Sequence, residues 1–130
     1  MVFKVDVKEQ QEGIYIVKPE GRLDADTYIS LEEKIKPLFA PSTKVLVFDM
    51  SELDYISSNG VGVIFQAKKA IEENKGTFIM TNLQPQIRKI FQIVKALPEK
   101  PVFENMEEVD RYLDLMQKKE IEKGDEPSEI

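Results

Sequence analysis

The chain contains no cysteine and no histidine. Without cysteine there is no disulfide framework, no thiolate nucleophile and no cysteine-ligated zinc site. Without histidine there is no imidazole to act as general base, metal ligand or neutral-pH switch. Serine-protease-like and papain-like triads are therefore excluded in their usual form. Any chemistry must use carboxylates, Lys, Arg, Ser, Thr or Tyr. The apolar runs are too short to span a bilayer. The first residues, Met1-Val2-Phe3-Lys4-Val5-Asp6, alternate like a strand and do not read as a signal peptide. A cytoplasmic location is expected.

What is present fits one soluble globular domain: 130 residues, 42% hydrophobic and 32% charged. That length buries a core without disulfides or metal. Net charge is −6, and the last residues carry most of it. Glu120, Glu122, Asp125, Glu126 and Glu129 stand against Lys123 alone, so −4 lies in residues 120–130 and −2 in the body. No basic stripe marks a nucleic-acid surface. The sequence therefore divides into a domain over 1–119 and an acidic tail over 120–130, which is too poor in apolar groups to be expected to fold.

Phe3, Val5 and Val7 alternate with charged residues and predict a half-exposed strand. Ile14 to Val17 predict its hairpin partner across a turn at Glu12-Gly13. Tyr28, Leu31, Ile35 and Leu38 recur at helical spacing, with Asp24 or Asp26 placed to cap that helix. Val45 to Phe48 do not alternate, which predicts a central strand covered on both faces. After a short polar turn, a helix opens on Ser57-Ser58-Asn59-Gly60, with Val61, Ile64, Phe65 and Ile71 inward. Thr77 to Thr81 predict another strand, and Pro85 starts a helix that buries Ile87, Ile90, Phe91 and Val94. Val102-Phe103 could add a short strand, and Asn105-Met106-Glu107-Glu108 reads as a capping box for a last helix. Its apolar face is Val109, Tyr112, Leu113 and Met116. The fold class is α/β: a mixed sheet of about four to five strands, opened by a hairpin, with about four packed helices. No spare apolar face is visible, so a monomer is expected.

The most informative stretch is Val45 to Phe65. A strand there delivers two serines to a helix N-terminus, where unpaired N–H groups and the helix dipole favour an anion such as phosphate. Spacing alone leaves two readings open: the serines cap the helix, or one of them is a phosphorylation switch. Asp24 and Asp49 carry a similar pair of readings, as capping and turn acids or as part of a binding surface.

Three motifs begin and fail. Gly60-Val61-Gly62-Val63-Ile64-Phe65 starts a dinucleotide fingerprint but has Phe65 at the third glycine. Asp24-Ala25-Asp26-Thr27-Tyr28 has the paired acids of haloacid-dehalogenase phosphatases, but Gly21-Arg22 precedes them and Tyr28 stands at the Thr position. Asp49 at a strand end, with Lys100-Pro101 beyond it, suggests a response-regulator receiver. The acidic pair needed to hold Mg²⁺ in a receiver is missing, since the first strand offers only Asp6. No metal site, cofactor or enzymatic activity is expected.

Taken together, Gly21-Arg22-Leu23-Asp24, Val45 to Ser51, Leu53 to Ile64 and Ile87-Arg88-Lys89-Ile90-Phe91 resemble the STAS family, and within it the bacterial anti-sigma factor antagonists. The resemblance covers roughly residues 3–118. It implies a phosphoprotein that binds an anti-sigma factor serine kinase when unmodified. Phosphorylation releases it, a metal-dependent serine phosphatase restores it, and transcription by sigma is regulated in consequence. By position the switch serine falls on Ser58, with Ser57 as second choice. Asp24, Asp49, Ser57, Ser58, Asn59 and Gly60 are then the partner-binding candidates. Many members carry Asp just before the switch serine, where this chain has Ser57. The alternative is a STAS scaffold or ligand-binding module without a switch. No nucleic acid or membrane partner is expected.

Overall fold

Alternation near the N-terminus becomes the hairpin it predicts. In a computed structural model that describes residues 2–96 and 106–124, strand β1 spans Lys4–Gln11 and β2 spans Ile14–Leu23. The two pair antiparallel, with Val7 opposite Val17. Helix α1 (Tyr28–Ile35) and a 3-10 turn (Lys36–Leu38) lead to β3 (Val45–Asp49). Then follow β4 (Leu53–Ile56), α2 (Ser58–Glu73), β5 (Thr77–Thr81), α3 (Pro85–Ala96) and α4 (Met106–Gly124).

The sheet has five strands in the order β1-β2-β3-β5, and β4 pairs with β2 off that path. The long β2 is shared: Ile14 to Val17 pair in parallel with β3, and Gly21 to Leu23 pair in parallel with β4. A bulge at Gly21-Arg22 re-aims the strand between its two partners, and Gly21 has φ 103°, a conformation open to glycine. The expected polar turn before α2 is thus in part a strand. It is too short to show an alternation of its own, and its partner lies far back in the sequence, at Gly21 to Leu23.

One face of the sheet carries the core. Val17, Leu23, Leu46, Phe48, Leu53 and Ile56 point into it and meet Leu31 and Ile35 of α1, Ile64 and Ile71 of α2, Ile87 and Ile90 of α3, and Leu113 of α4. Each such aliphatic side chain contributes about 1.5–3 kcal/mol on burial. The expected inward faces of α3 and α4 are the observed ones. Strand β3 differs from expectation, because its residues alternate between half-buried and buried. Ile14, Ile16, Val45, Val47 and Ile79 fall on the opposite face, outside the core cluster, and Ile79 is 42% exposed. An apolar sheet face is therefore left over, contrary to the expectation that none is. Phe65, expected in the core, is 37% exposed and rests edge-on against Phe91 at 5.9 Å. In α2 the inward positions are Val61, Val63, Ile64, Ala67 and Ile71.

Helix α4 continues through Gly124, past Glu120 where the sequence suggested the tail begins. The expected strand at Val102-Phe103, the cap Asn105 and residues 125–130 lie outside the described residues.

Candidate functional site

The site is the junction where β4 runs into α2. Ser57 leaves the strand with extended backbone (φ −100°, ψ 177°) and is the N-cap of α2. Its Oγ accepts a hydrogen bond from the Gly60 N–H at 3.4 Å, and its own N–H donates to the Leu23 carbonyl at 2.9 Å. Ser57 is only 5% exposed. Its hydroxyl is already committed as a helix cap.

Ser58 is the first residue of α2. Its Oγ is shielded from solvent and has no hydrogen-bond partner among the described residues. Its N–H donates to the Asp110 carboxylate (Oδ1) at 3.0 Å. Sequence reasoning placed unpaired N–H groups here, open to an anion. In the structure a carboxylate from α4 already occupies that position, where the helix dipole favours negative charge. No local signal could reveal this, because the two residues are 52 positions apart.

Helix α4 holds the junction at two further points. Gln117, 1% exposed, accepts from the Ile56 N–H at 2.9 Å and donates to the Ile56 carbonyl at 2.7 Å. Asp114 places its carboxylate near the Tyr55 hydroxyl. Burial raises the Tyr55 phenol above its usual pKa, the charges of Asp114 and Asp110 add to this, and Arg22 offsets part of it. The Arg22 guanidinium lies over the Tyr55 ring, 3.9 Å from its centre.

Gly60 faces inward. A Cβ there would come within 2.7 Å of Leu23 and 2.8 Å of Ile56. It belongs to the packing beneath the junction. Asn59 is half-buried in the first turn of α2.

Asp24 lies next to the junction, since Leu23 just before it binds Ser57. Its Oδ1 accepts from the Asp26 N–H at 3.0 Å, and its own N–H donates to Thr27 Oγ1 at 2.9 Å. The N-cap of α1 is Thr27, where Asp24 or Asp26 was expected. Asp24 instead builds the turn that brings α1 off β2.

Asp49 belongs to a different cluster. Its Oδ1 accepts from the Ser51 N–H at 3.1 Å and from Asn82 Nδ2 at 3.2 Å. Burial acts to raise its pKa, but these hydrogen bonds and the charge of Lys18 outweigh it and hold the carboxyl below its usual value. Gln84 closes the same loop, donating to the carbonyls of Ser51 and Leu53. The structure thus brings Asp24, Ser57, Ser58, Asn59 and Gly60 together and ties Asp49 to the β3–β4 loop. Among the described residues no group of three or more acids could hold a metal ion, and no helix is long and apolar enough to cross a membrane.

Comparison with known proteins gives a consistent picture. The family model described as the STAS domain matches residues 7–109. BtrV of Bordetella bronchiseptica is 27% identical over 96 residues, covering 74% of this chain and 83% of that protein. The anti-sigma-B factor antagonist of Staphylococcus aureus is 28% identical over 83 residues, covering 64% of this chain and 77% of that one. Among solved structures, the anti-sigma factor antagonist SpoIIAA in its unphosphorylated form superposes with a TM-score of 0.65 at 21% identity, covering 84% of this chain and 96% of its own. The phosphorylated form of SpoIIAA from Bacillus gives 0.61 at 21% identity, over 70% of this chain and 83% of its own. These two show a shared fold.

Proposed function

Because the chain belongs to the STAS domain family, we propose that it is an anti-sigma factor antagonist whose grip on its partner is switched by phosphorylation of Ser58. The partner is an anti-sigma factor that is itself a serine kinase. The kinase transfers the γ-phosphoryl group of ATP to Ser58: the bond from Pγ to ADP breaks, the Oγ–P bond forms, and the hydroxyl proton is released. A metal-dependent serine phosphatase reverses the step by hydrolysis. While the unmodified protein holds the anti-sigma factor, sigma is free to direct transcription. The protein needs no cofactor and works in the cytoplasm.

One observation carries the choice of serine. The Ser57 hydroxyl is spent on capping α2, whereas the Ser58 hydroxyl, one residue on, has no partner among the described residues. The name of the Staphylococcus relative and the existence of both forms of SpoIIAA support the reading. A phosphoserine carries about −1.5 to −2 charges near neutral pH. Placed in the docking surface, it adds charge and bulk that the partner must desolvate, which weakens the complex. Asp24, Asn59 and the exposed rim of the junction form that surface, and Gly60 supports it from beneath.

The test uses wild-type protein and Ser58→Asp as parallel baits in the native cell lysate. Wild type should retain a serine-kinase-like anti-sigma factor, and the folded variant should lose it. Equal retention by both baits contradicts the switch. A second reading, a scaffold with no switch, is favoured by the solvent-shielded Ser58 Oγ. Stoichiometric phosphate on Ser58 after incubation with the captured kinase and ATP would remove it.

A further inference from the structure

We propose that Asp110 is a built-in occupant of the N-terminus of α2, and that phosphorylation of Ser58 evicts it and loosens the grip of α4 on the switch segment. The inference rests on the reading of Ser58 as the switch and concerns what the phosphate does inside the protein. Side chains of α4 hold the segment by hydrogen bonds at two residues, Gln117 on both backbone groups of Ile56 and Asp110 on Ser58, and the Asp114 carboxylate acts on the Tyr55 hydroxyl beside them. Positions 110, 114 and 117 are four and three residues apart, so they share one face of the helix.

The charge argument is direct. Asp110 Oδ1 lies 3.0 Å from the Ser58 nitrogen. A phosphoryl group on Oγ of the same residue places a near-dianion beside this carboxylate, and both compete for the same N–H donors and the same positive end of the dipole. Two anions cannot share that position without a counter-charge. Among the described residues Arg22 is a cation at this segment, and it is already engaged: it lies over Tyr55 and pairs with Asp24 at 3.7 Å. The phosphate is covalently fixed, so Asp110 is the group that leaves.

The shielding of Ser58 Oγ shows the same coupling from the other side. The acceptor oxygen is closed off from solvent, and α4 reaches the same residue through Asp110. Modification therefore favours the undocked helix, and by linkage undocking favours modification. The two states of α4 thus report the two states of Ser58. This departs from a switch that leaves the fold unchanged.

The test installs phosphoserine at position 58 of the full chain during translation, so that no kinase is needed, and follows amide hydrogen exchange. Losing a charge-assisted hydrogen bond and its neighbours should speed exchange in α4 and at Ile56 and Ser58 at least about tenfold. Exchange in β3 should stay unchanged. The same phosphoserine in Asp110→Asn, which keeps an acceptor but not the charge, should speed α4 less than about threefold. Unchanged exchange in α4 would overturn the proposal, as would equal acceleration in the Asp110→Asn protein or acceleration extending to β3. The two claims fail separately. Equal retention of partners by the Ser58→Asp bait sinks the switch reading. Unchanged α4 exchange on the installed phosphate sinks this one.

Discussion

Ser57 and Ser58 are neighbours with opposite energetics. The Ser57 hydroxyl satisfies a helix N–H, so Ser57→Ala should cost about 1 kcal/mol of stability. The Ser58 hydroxyl is buried and unpaired among the described residues, so Ser58→Ala should leave stability unchanged or raise it slightly. Urea denaturation of the two variants checks this, and equal losses would contradict the assignment of the cap. Asp49 offers a pH test. Its folded pKa lies below that of an ordinary aspartate carboxyl. Its contribution is therefore present above that value and lost as pH falls through the lowered folded value. Asp49→Asn should flatten the fall in stability between about pH 5 and pH 2, measured as the urea midpoint against pH. Much of this scale was legible in the sequence. Two serines before a helix announce a cap, but which one caps depends on which backbone is extended, and only the fold sets that. The occupancy of the anion position by Asp110 was not legible, because it depends on how α4 docks.

Among the elements, α4 does more than cover the core. Its apolar face was read correctly from Val109, Tyr112, Leu113 and Met116, because helical spacing is a local property. Its polar grip was not, since Gln117 reads in sequence as an ordinary surface residue. Gln117→Ala leaves both backbone groups of Ile56 unpaired in a buried place. It should cost about 1–3 kcal/mol for each group, and it should raise hydrogen exchange at Ile56 before the rest of β4. A loss typical of an exposed helix position would show that water replaces the side chain. Strand β4 was missed for the same kind of reason. Leu53–Ile56 is too short to display a period, and only the second half of β2 makes it a strand.

At the scale of the whole molecule, the described residues pack their core on one face of the sheet. Val45 to Phe48 look uniformly apolar in sequence, and such a run fits a strand with two covered faces. In the fold, Leu46 and Phe48 are fully buried while Val45 and Val47 face the other way beside Ile79. Leu46→Ala should therefore cost about 2–5 kcal/mol, and Ile79→Ser less than about 1 kcal/mol, both by urea denaturation. A comparable cost at Ile79 would mean that this face is covered in solution. The central claim concerns the molecule as a switch, and its most direct measurement is the affinity of the protein for its captured anti-sigma factor with and without phosphoserine installed at position 58. The account predicts tight binding by the unmodified chain and at least about a hundredfold weakening by the modified one, of the size seen when a charge is buried unpaired in an interface. Equal affinities would contradict it and leave Ser58 as an ordinary residue of a helix start.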